Sequence, residues 1–343
     1  MNRRQELKQL VKNVTPDTFE DVALAVFRWQ AVSNFIYREY LSHLRCNPDK
    51  VQSLTQIPFM PIGFFKKHTV LTESPVVQTT FESSGTTGAQ TSRHHVADLD
   101  WYTDISIRIF EQTYGPLSNC HLLALLPSYL ERNNSSLVYM VQQFIAHSDS
   151  PVSGFFLHNV DELLITLKKL AHNPDGRTVI LWGVTFALLD LAESEMPQDL
   201  GWLQEIPNLV VMETGGMKGR RREMLREEVH EVLTKAFGVK VIHSEYGMTE
   251  LLSQSYSKGE GIFDASTTMR ILLRDINDPR AVYEGPQSGL RYGGINVVDL
   301  ANLDSCAFLE TQDLGRFVGE NATRFEVIGR FDNSDVRGCN LLI

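Results

Sequence analysis

The segment VKVIHSEYGMTE, residues 239–250, decides the fold and the chemistry predicted for this chain of 343 residues. Residues 239–243 form a short apolar run that is typical of a buried strand. The strand is followed by Tyr246-Gly247 and by Thr249-Glu250. An aromatic ring at the carboxyl end of a strand can stack on a purine, and a nearby hydroxyl and carboxylate can hold a phosphate oxygen and Mg²⁺. Taken alone the pattern is weak, because a strand that ends in Tyr-Gly is commonplace.

Similar short runs recur along the chain, and helical patterns separate them. The apolar runs cover residues 121–126, 178–184 and 208–212, and helical patterns cover residues 161–171 and 221–237. Strands that alternate with helices predict an α/β fold with a mostly parallel sheet covered on both faces. After about residue 285 the residues 289–299 and 307–327 are richer in β-formers. They predict a small β-rich portion, either a second sheet or a barrel-like appendage.

The amino-terminal region is predicted to be helical. From Thr18, expected to cap the first turn, apolar residues recur at helical spacing up to Leu44, and Asn47-Pro48 is expected to stop the helix. Residues 69–82 are predicted to be extended.

Composition excludes several functional classes. Charged residues make up 22% and the net charge is −10, so electrostatic binding to nucleic acid or to anionic lipid is not expected. The four cysteines form no CxxC pair, which argues against a disulfide framework or a zinc site. The first residues show no signal-peptide pattern and no run is long enough to span a membrane, so a cytoplasmic location is expected.

A loop rich in glycine and hydroxyl groups follows the extended segment. Two glycines let backbone amides approach an anion, and the hydroxyls add donors that can surround a polyphosphate. The loop consists of Ser83, Ser84, Gly85, Thr86, Thr87 and Gly88. It lacks the lysine of a Walker motif, because Gly88 is followed by Ala89-Gln90-Thr91. A Ser/Thr-rich turn with no ligand remains the alternative.

Two further segments carry candidate polar groups. Asp313 follows a predicted strand, where a carboxylate is a natural acceptor for ribose hydroxyls, and Arg330 can join it or meet a phosphate. Either residue is equally well explained as a partner in a surface salt bridge.

In this order, the segments resemble the adenylate-forming superfamily of acyl-CoA synthetases, luciferases and peptide-synthetase adenylation domains. The resemblance implies the superfamily's large N-terminal-type domain, with layered, mostly parallel sheets covered by helices. It implies phosphate binding by residues 83–88, nucleotide binding by Thr214, Gly215, Gly216, Tyr246, Gly247, Asp313 and Arg330, and a role for Thr249 and Glu250 in catalysis, with Glu250 as the Mg²⁺ ligand. ATP, AMP and Mg²⁺ are the implied cofactors.

Within the superfamily the chain resembles most the acyl-protein synthetases of bacterial luminescence and their relatives. The matching segments include residues 58–65, 127–140, 213–219 and the tail 337–342. In that family a fatty acid is activated as an acyl-adenylate and moved to a cysteine near the carboxyl terminus, which implies Cys339 as the acceptor. An acyl-CoA reductase-type subunit or an acyl carrier is the implied partner.

The resemblance also implies a domain division. Residues 1–328 are expected to form the adenylation core, with a helical lead-in over residues 1–70, and residues 329–343 a hinge-like tail without the superfamily's mobile domain. That domain carries a lysine that assists adenylation, and many relatives have a further lysine after the phosphate loop, where Arg93 or Lys218 is the expected substitute. Two alternatives stay open: a ligase that releases its product to coenzyme A, and a non-catalytic nucleotide or acyl binder.

Overall fold

The structure is a computed structural model that describes residues 2–83, 90–126, 134–156, 159–193, 200–216, 221–222, 224–286, 292–320 and 322–331. The helices are α1 (Arg3–Lys12), α2 (Phe19–Ser33), α3 (Phe35–His43), α4 (Phe64–Lys67), α5 (Leu99–Tyr114), α6 (Ser136–Ser148), α7 (Val160–His172), α8 (Thr185–Ala192) and α9 (Arg226–Phe237). Short 3₁₀ turns lie at Pro16–Thr18, Pro48–Lys50, Leu54–Gln56, Leu117–Asn119 and Leu200–Glu205.

The strands fall into a long mixed sheet and a separate hairpin. They are β1 (Met60–Pro61), β2 (Thr79–Glu82), β3 (Arg93–Val96), β4 (Cys120–Leu125), β5 (Gly154–Phe155), β6 (Thr178–Val184), β7 (Leu209–Thr214), β8 (His243–Tyr246), β9 (Ser255–Ser257), β10 (Ile262–Asp264), β11 (Met269–Arg274), β12 (Val282–Tyr283), β13 (Gly293–Asp299), β14 (Phe308–Phe317) and β15 (Arg324–Arg330). The hairpin pairs β2 with β3.

One half of the long sheet is parallel. The strands β5, β4, β6, β7 and β8 lie side by side in that order, so their carboxyl ends share one edge. Helices cover both faces. The aromatic side chains of Phe110 on α5 and Phe144 on α6 pack on Trp182 of β6, while α8 and α9 pack together behind the sheet. The predicted α/β class with helix-covered parallel strands is confirmed.

The other half is antiparallel and continues from β8 through β9, β10, β15, β14, β13 and β11 to β12. The β-rich portion predicted after residue 285 is therefore present, but it belongs to the same sheet and is neither a second sheet nor an appendage. The short strand β1 joins it by pairing in parallel with β14.

The predicted helix over residues 18–44 is broken at Asn34, which is extended with φ −97° and ψ 111°. Its side chain accepts a hydrogen bond from Tyr37 N and donates one to Ser305 O. The Asn34 amide is fully buried, and the chain leaves the helical conformation here so that this amide can bond a segment 271 residues away. Thr18 makes no side-chain capping hydrogen bond, and α3 already ends at His43.

Two further element boundaries differ from the sequence prediction. The run 239–242 is not a strand, because Gly238 ends α9 in the left-handed region at φ 66° and β8 begins only at His243. Helix α9 starts at Arg226, five residues later than predicted. Of residues 69–82, only Thr79–Glu82 form a strand.

Helix α1 precedes the helix predicted from Thr18, and ion pairs hold it to the core. Its cap Asn2 accepts from Gln5 N, and Arg4 pairs through two nitrogens with Asp304 at 2.5 and 2.6 Å. No helix among the described residues is both long enough and apolar enough to cross a bilayer.

Candidate functional site

The candidate site lies at the carboxyl edge of the parallel strands. Strands β7 and β8 are neighbours in register, with Thr214 opposite Glu245, so the turns that follow them begin side by side. After β7 come Gly215, with φ 74°, and Gly216. After β8 come Gly247 and Met248, and these turns are at least partly exposed to solvent. The edge of a parallel sheet beyond its strand ends is the usual position of a nucleotide site in α/β folds.

Tyr246, Asp313 and Arg330 meet in one cluster. The Tyr246 hydroxyl donates to Asp313 Oδ2 at 3.0 Å, and Arg330 Nε lies 3.1 Å from Asp313 Oδ1. Asp313 and Arg330 are brought opposite each other by the pairing of β14 with β15. Burial raises the pKa of the Asp313 carboxyl, and Arg330 and Tyr246 oppose that shift. The cluster therefore presents a buried carboxylate with one hydrogen-bond donor, Tyr246, and one ion-pair partner, Arg330.

Thr249 and Glu250 are held through their backbone carbonyls. His94 on β3 donates from Nδ1 to Thr249 O at 2.8 Å, and Asn302 Nδ2 donates to Glu250 O at 2.7 Å. Burial lowers the pKa of His94 to about 4, so the ring is neutral at pH 7 and acts as a fixed donor. Asn302 lies in a loop whose carbonyls accept from the fully buried Gln30 amide of α2. The turn is thus fixed from two directions through its backbone carbonyls.

Glu250 is buried, with 6% of its surface exposed, and burial raises the pKa of its carboxyl. A hydrogen bond from Ser92 opposes that shift. Ser92 also ties Glu250 to the predicted phosphate loop, because Ser92 N donates to Ser83 Oγ at 2.9 Å and Ser83 N donates to Ser92 O at 3.0 Å. The structure therefore places the beginning of that loop beside the proposed metal ligand.

Glu245 is a buried carboxyl that the sequence did not single out. The Thr214 hydroxyl donates to its Oε2, and no basic side chain pairs with it among the described residues. Burial raises the pKa of Glu245 to about 7, and the nearby Glu213 adds to the shift. Its Oε1 lies against Gly247, where a Cβ would come within 2.4 Å of it. A side chain at residue 247 would therefore displace this carboxyl.

Glu213 occupies the opposite face of the sheet and is fully partnered. It accepts from the Thr185 hydroxyl at 2.8 Å, and Arg226 Nε and His230 Nε2 lie 3.4 and 3.7 Å from its Oε1. Burial would raise the pKa of Glu213, but His230 and Arg226 outweigh it and the pKa is lowered. This network fastens α8 and α9 to β7 and faces away from Glu245.

The structure brings together most predicted site residues that it describes. Tyr246, Asp313 and Arg330 touch one another, and Ser83 is linked to Glu250 through Ser92. Several predicted residues lie outside the described residues: Ser84, Gly85, Thr86, Thr87, Gly88, Lys218 and Cys339. Sequence reasoning missed Glu245, Asn302 and the positioning role of His94. The pair His94-His95 directly after the loop was the only signal for any of them.

A metal site made only of protein groups is not present in the described part of the chain, where no three His, Cys, Asp or Glu side chains converge. Mg²⁺ commonly uses one or two carboxylates together with substrate phosphates. Glu250, a buried carboxyl without a paired cation, fits that donor set. The residues present therefore suit a Mg²⁺ ion that arrives with a nucleotide.

No family model and no curated protein matches the chain. Solved structures of adenylate-forming enzymes do match it. A fatty acyl-adenylate ligase from L. pneumophila, in complex with acyl adenylate and pyrophosphate, has 13% identity and a TM-score of 0.47 over 78% of this chain and 53% of that one. An adenylation domain of a keto acid-selecting NRPS module, bound to keto acyl adenylate, has 12% identity and a TM-score of 0.45 over 73% and 51%.

An acyl acid amido synthetase in complex with 2,4-DB has 11% identity and a TM-score of 0.47 over 97% of this chain and 72% of that one. The chain thus spans about half the length of the ligase and of the adenylation domain.

Proposed function

We propose that the protein activates a carboxylic acid with ATP to form an acyl-adenylate, and that the acyl group then passes to a thiol. The observation that carries the proposal is the cluster of Tyr246, Asp313 and Arg330. Tyr246 and Asp313 were predicted from separate motifs and are 67 positions apart, yet the Tyr246 hydroxyl donates to Asp313, which also forms an ion pair with Arg330. A carboxylate beside a tyrosine at a strand end suits a ribose and its base.

Each part of the site has a role in this reaction. Asp313 and Arg330 bind the ribose, Tyr246 and the backbone of residues 214–216 bind the base, and residues 83–88 with Thr249 bind the phosphates. Glu250 would hold Mg²⁺, which when bound offsets negative charge on the phosphates. His94 and Asn302 keep Thr249 and Glu250 in place through their carbonyl groups.

The first half-reaction forms one bond and breaks another. A carboxylate oxygen attacks the α-phosphorus, the bond to the bridging oxygen breaks, and pyrophosphate leaves, which gives the mixed anhydride. In the second half-reaction a thiolate attacks the acyl carbon, and AMP leaves with the oxygen that came from the acid. Fixed donors aimed at the phosphates lower the barrier because charge develops there in the transition state.

Cys339 is the proposed thiol, on the pattern of the acyl-protein synthetases, and a fatty acid is the first acid to test. Arg337 lies two residues away in the sequence, and a nearby cation favours the thiolate. Residues 1–328 would form the core and residues 329–343 the tail that carries the acceptor. Transfer to an acyl-CoA reductase-type subunit or an acyl carrier would follow.

The first experiment is carboxylate-dependent exchange of labelled pyrophosphate into ATP over a panel of acids of different chain length. The proposal expects exchange with at least one acid and none without an acid. Nucleotide binding with no exchange for any acid would instead favour a non-catalytic binder.

The second experiment tests the acceptor. With ATP and a labelled acid that supports exchange, the chain should acquire a label that hydroxylamine removes. Cys339→Ser should abolish this label, and Cys46→Ser, which changes a half-buried cysteine, should retain it. Equal labelling of the Cys339→Ser variant and the parent protein would exclude Cys339. Formation of acyl-CoA at the same rate in both would favour a ligase that releases to coenzyme A.

A further inference from the structure

The proposed reaction needs positive charge beside the triphosphate, and the sequence lacks it at the usual position. The phosphate loop is followed by Gln90 and Thr91 rather than by a lysine, and the chain carries a net charge of −10. ATP binding sites commonly use a lysine near the β- and γ-phosphates. If ATP binds here, that positive charge has to come from another basic residue near Glu250.

Helix α4 is linked to the Thr249–Glu250 turn through His94. On one side, Ile62 N just before the helix donates to Glu310 O at 2.9 Å, which anchors this segment to β14. On the other side, the fully buried Phe65 ring packs edge-on against the His94 ring at 5.5 Å and 88°. His94 is the residue that donates to Thr249 O. Phe65 therefore sets the distance between α4 and the turn.

Lys66 is the next residue in α4 and is exposed to solvent. Its ammonium group makes no hydrogen bond or ion pair with any residue in the described ranges. Lys66 and Arg330 are the two cations that favour the ionised form of Glu250. Arg330 is engaged by Asp313 at 3.1 Å. Lys66 is thus a cation beside Glu250 with no described partner.

Arg93 is one of the two residues expected to replace the missing lysine, and its side chain points away from Thr249. Side chains alternate along a strand, and His94 of β3 points to Thr249. Arg93 and His95 therefore lie on the opposite face, where His95 Nδ1 and the Thr80 hydroxyl are 2.8 Å apart. The Arg93 charge also lowers the pKa of His95, second to burial, which agrees with that placement.

We infer that Lys66 binds the β- and γ-phosphates of ATP and supplies the charge that the loop lacks. The inference rests on the proposed function, because it assigns a residue to the same nucleotide site. Position is its main support: Lys66 follows the buried anchor Phe65, which packs on His94. Glu250 also interacts with Ser92, which is hydrogen-bonded to Ser83 at the start of the phosphate loop.

The test is calorimetric binding of ATP and of adenosine to the full chain with Mg²⁺. Lys66→Met should weaken ATP binding about tenfold, the lower end for a contact to a charged group, and leave adenosine binding unchanged. Lys66→Arg should retain most of the affinity. Lys67→Met is the matched control, because Lys67 is equally exposed on the same helix and should bind ATP as the parent does.

The outcomes separate this inference from the proposed function. If the parent protein binds ATP and Lys66→Met behaves like Lys67→Met, Lys66 is not a phosphate ligand and the proposed function stands. Equal weakening of ATP and adenosine binding by Lys66→Met would show a disturbed fold of α4 and would also overturn the inference. If the parent binds neither ligand, both proposals fail.

Discussion

Replacing Asp313 by asparagine tests the nucleotide cluster most sharply. The carboxylate is 5% exposed, accepts a hydrogen bond from Tyr246 at 3.0 Å and forms an ion pair with Arg330 at 3.1 Å, so it is ordered before any ligand binds. Asp313→Asn keeps the size and one acceptor oxygen but removes the charge. A hydrogen bond to a charged group contributes about 1.5–3 kcal/mol. We therefore expect the KM for ATP to rise between about tenfold and about a hundredfold.

Stability should change little in the same variant. The ion pair with Arg330 is weakened by solvent, because Arg330 is 69% exposed, and such pairs contribute about 0–1 kcal/mol. Burial already disfavours the ionised Asp313 carboxyl, so a neutral amide removes that cost. The free energy of unfolding, measured by urea denaturation, should therefore shift by less than about 1 kcal/mol.

The assay is pyrophosphate exchange with varied ATP at a saturating acid concentration, and then with varied acid. The KM for the acid should not change. Glu326→Gln is the matched control, since it breaks the exposed ion pair with Arg316 across the same two strands, β14 and β15. An unchanged KM for ATP in Asp313→Asn, or an equal rise in Glu326→Gln, would refute the assignment of Asp313 to the ribose.

Three further predictions concern the turn after β8. Gly247→Ala should lower the exchange rate, because its Cβ would come within 2.4 Å of Glu245 Oε1 and displace that carboxyl, whereas Gly154→Ala, with open space around the Cβ, should leave the rate unchanged. Between pH 4.5 and about 7 the folded protein keeps a proton on Glu245 that the unfolded chain has lost, so the contribution of Glu245 to the free energy of unfolding should fall as the pH rises, whereas His94 and His243, whose pKa values burial lowers to about 4, contribute with the opposite sign. In denaturation series at several pH values, the difference in the free energy of unfolding between the parent and Glu245→Gln should therefore change across this range, and a difference that does not depend on pH would contradict the assignment. Glu250→Gln should reduce exchange at least about a hundredfold at every Mg²⁺ concentration, because the metal loses its proposed ligand. The melting temperature should not fall, because the substitution neutralises a buried carboxyl. Exchange near the parent rate would show that Glu250 is not the metal ligand.

The parts of the fold that the sequence predicts well are those whose local pattern matches their final environment. Strand β6 was predicted with its observed bounds, Thr178–Val184, because all but its first residue are buried and the run is continuously apolar. The run 239–242 shows the opposite case. It is equally rich in β-formers, yet Val241 is 44% exposed and the preceding Gly238 turns the chain in the left-handed region.

Tertiary contacts explain what the sequence does not reveal. The break at Asn34 depends on the carbonyl of Ser305, which no local pattern around residue 34 contains. In the site, the resemblance assigned Tyr246, Asp313 and Arg330 to one nucleotide site, and the structure brings Tyr246 and Arg330 into contact with Asp313. The neighbourhood of Lys66 could not be predicted in this way, because it depends on the packing of Phe65 against His94.

The fate of one oxygen atom tests the central claim most directly. The protein is incubated with ATP, Mg²⁺ and an acid whose carboxylate carries heavy oxygen, with hydroxylamine as the acyl acceptor, and AMP is examined by mass spectrometry. If an acyl-adenylate forms, its breakdown leaves one carboxylate oxygen on the phosphate, so AMP should carry a single heavy oxygen and should appear only when the acid is present. Release of ADP, or of AMP without the label, would contradict adenylate formation.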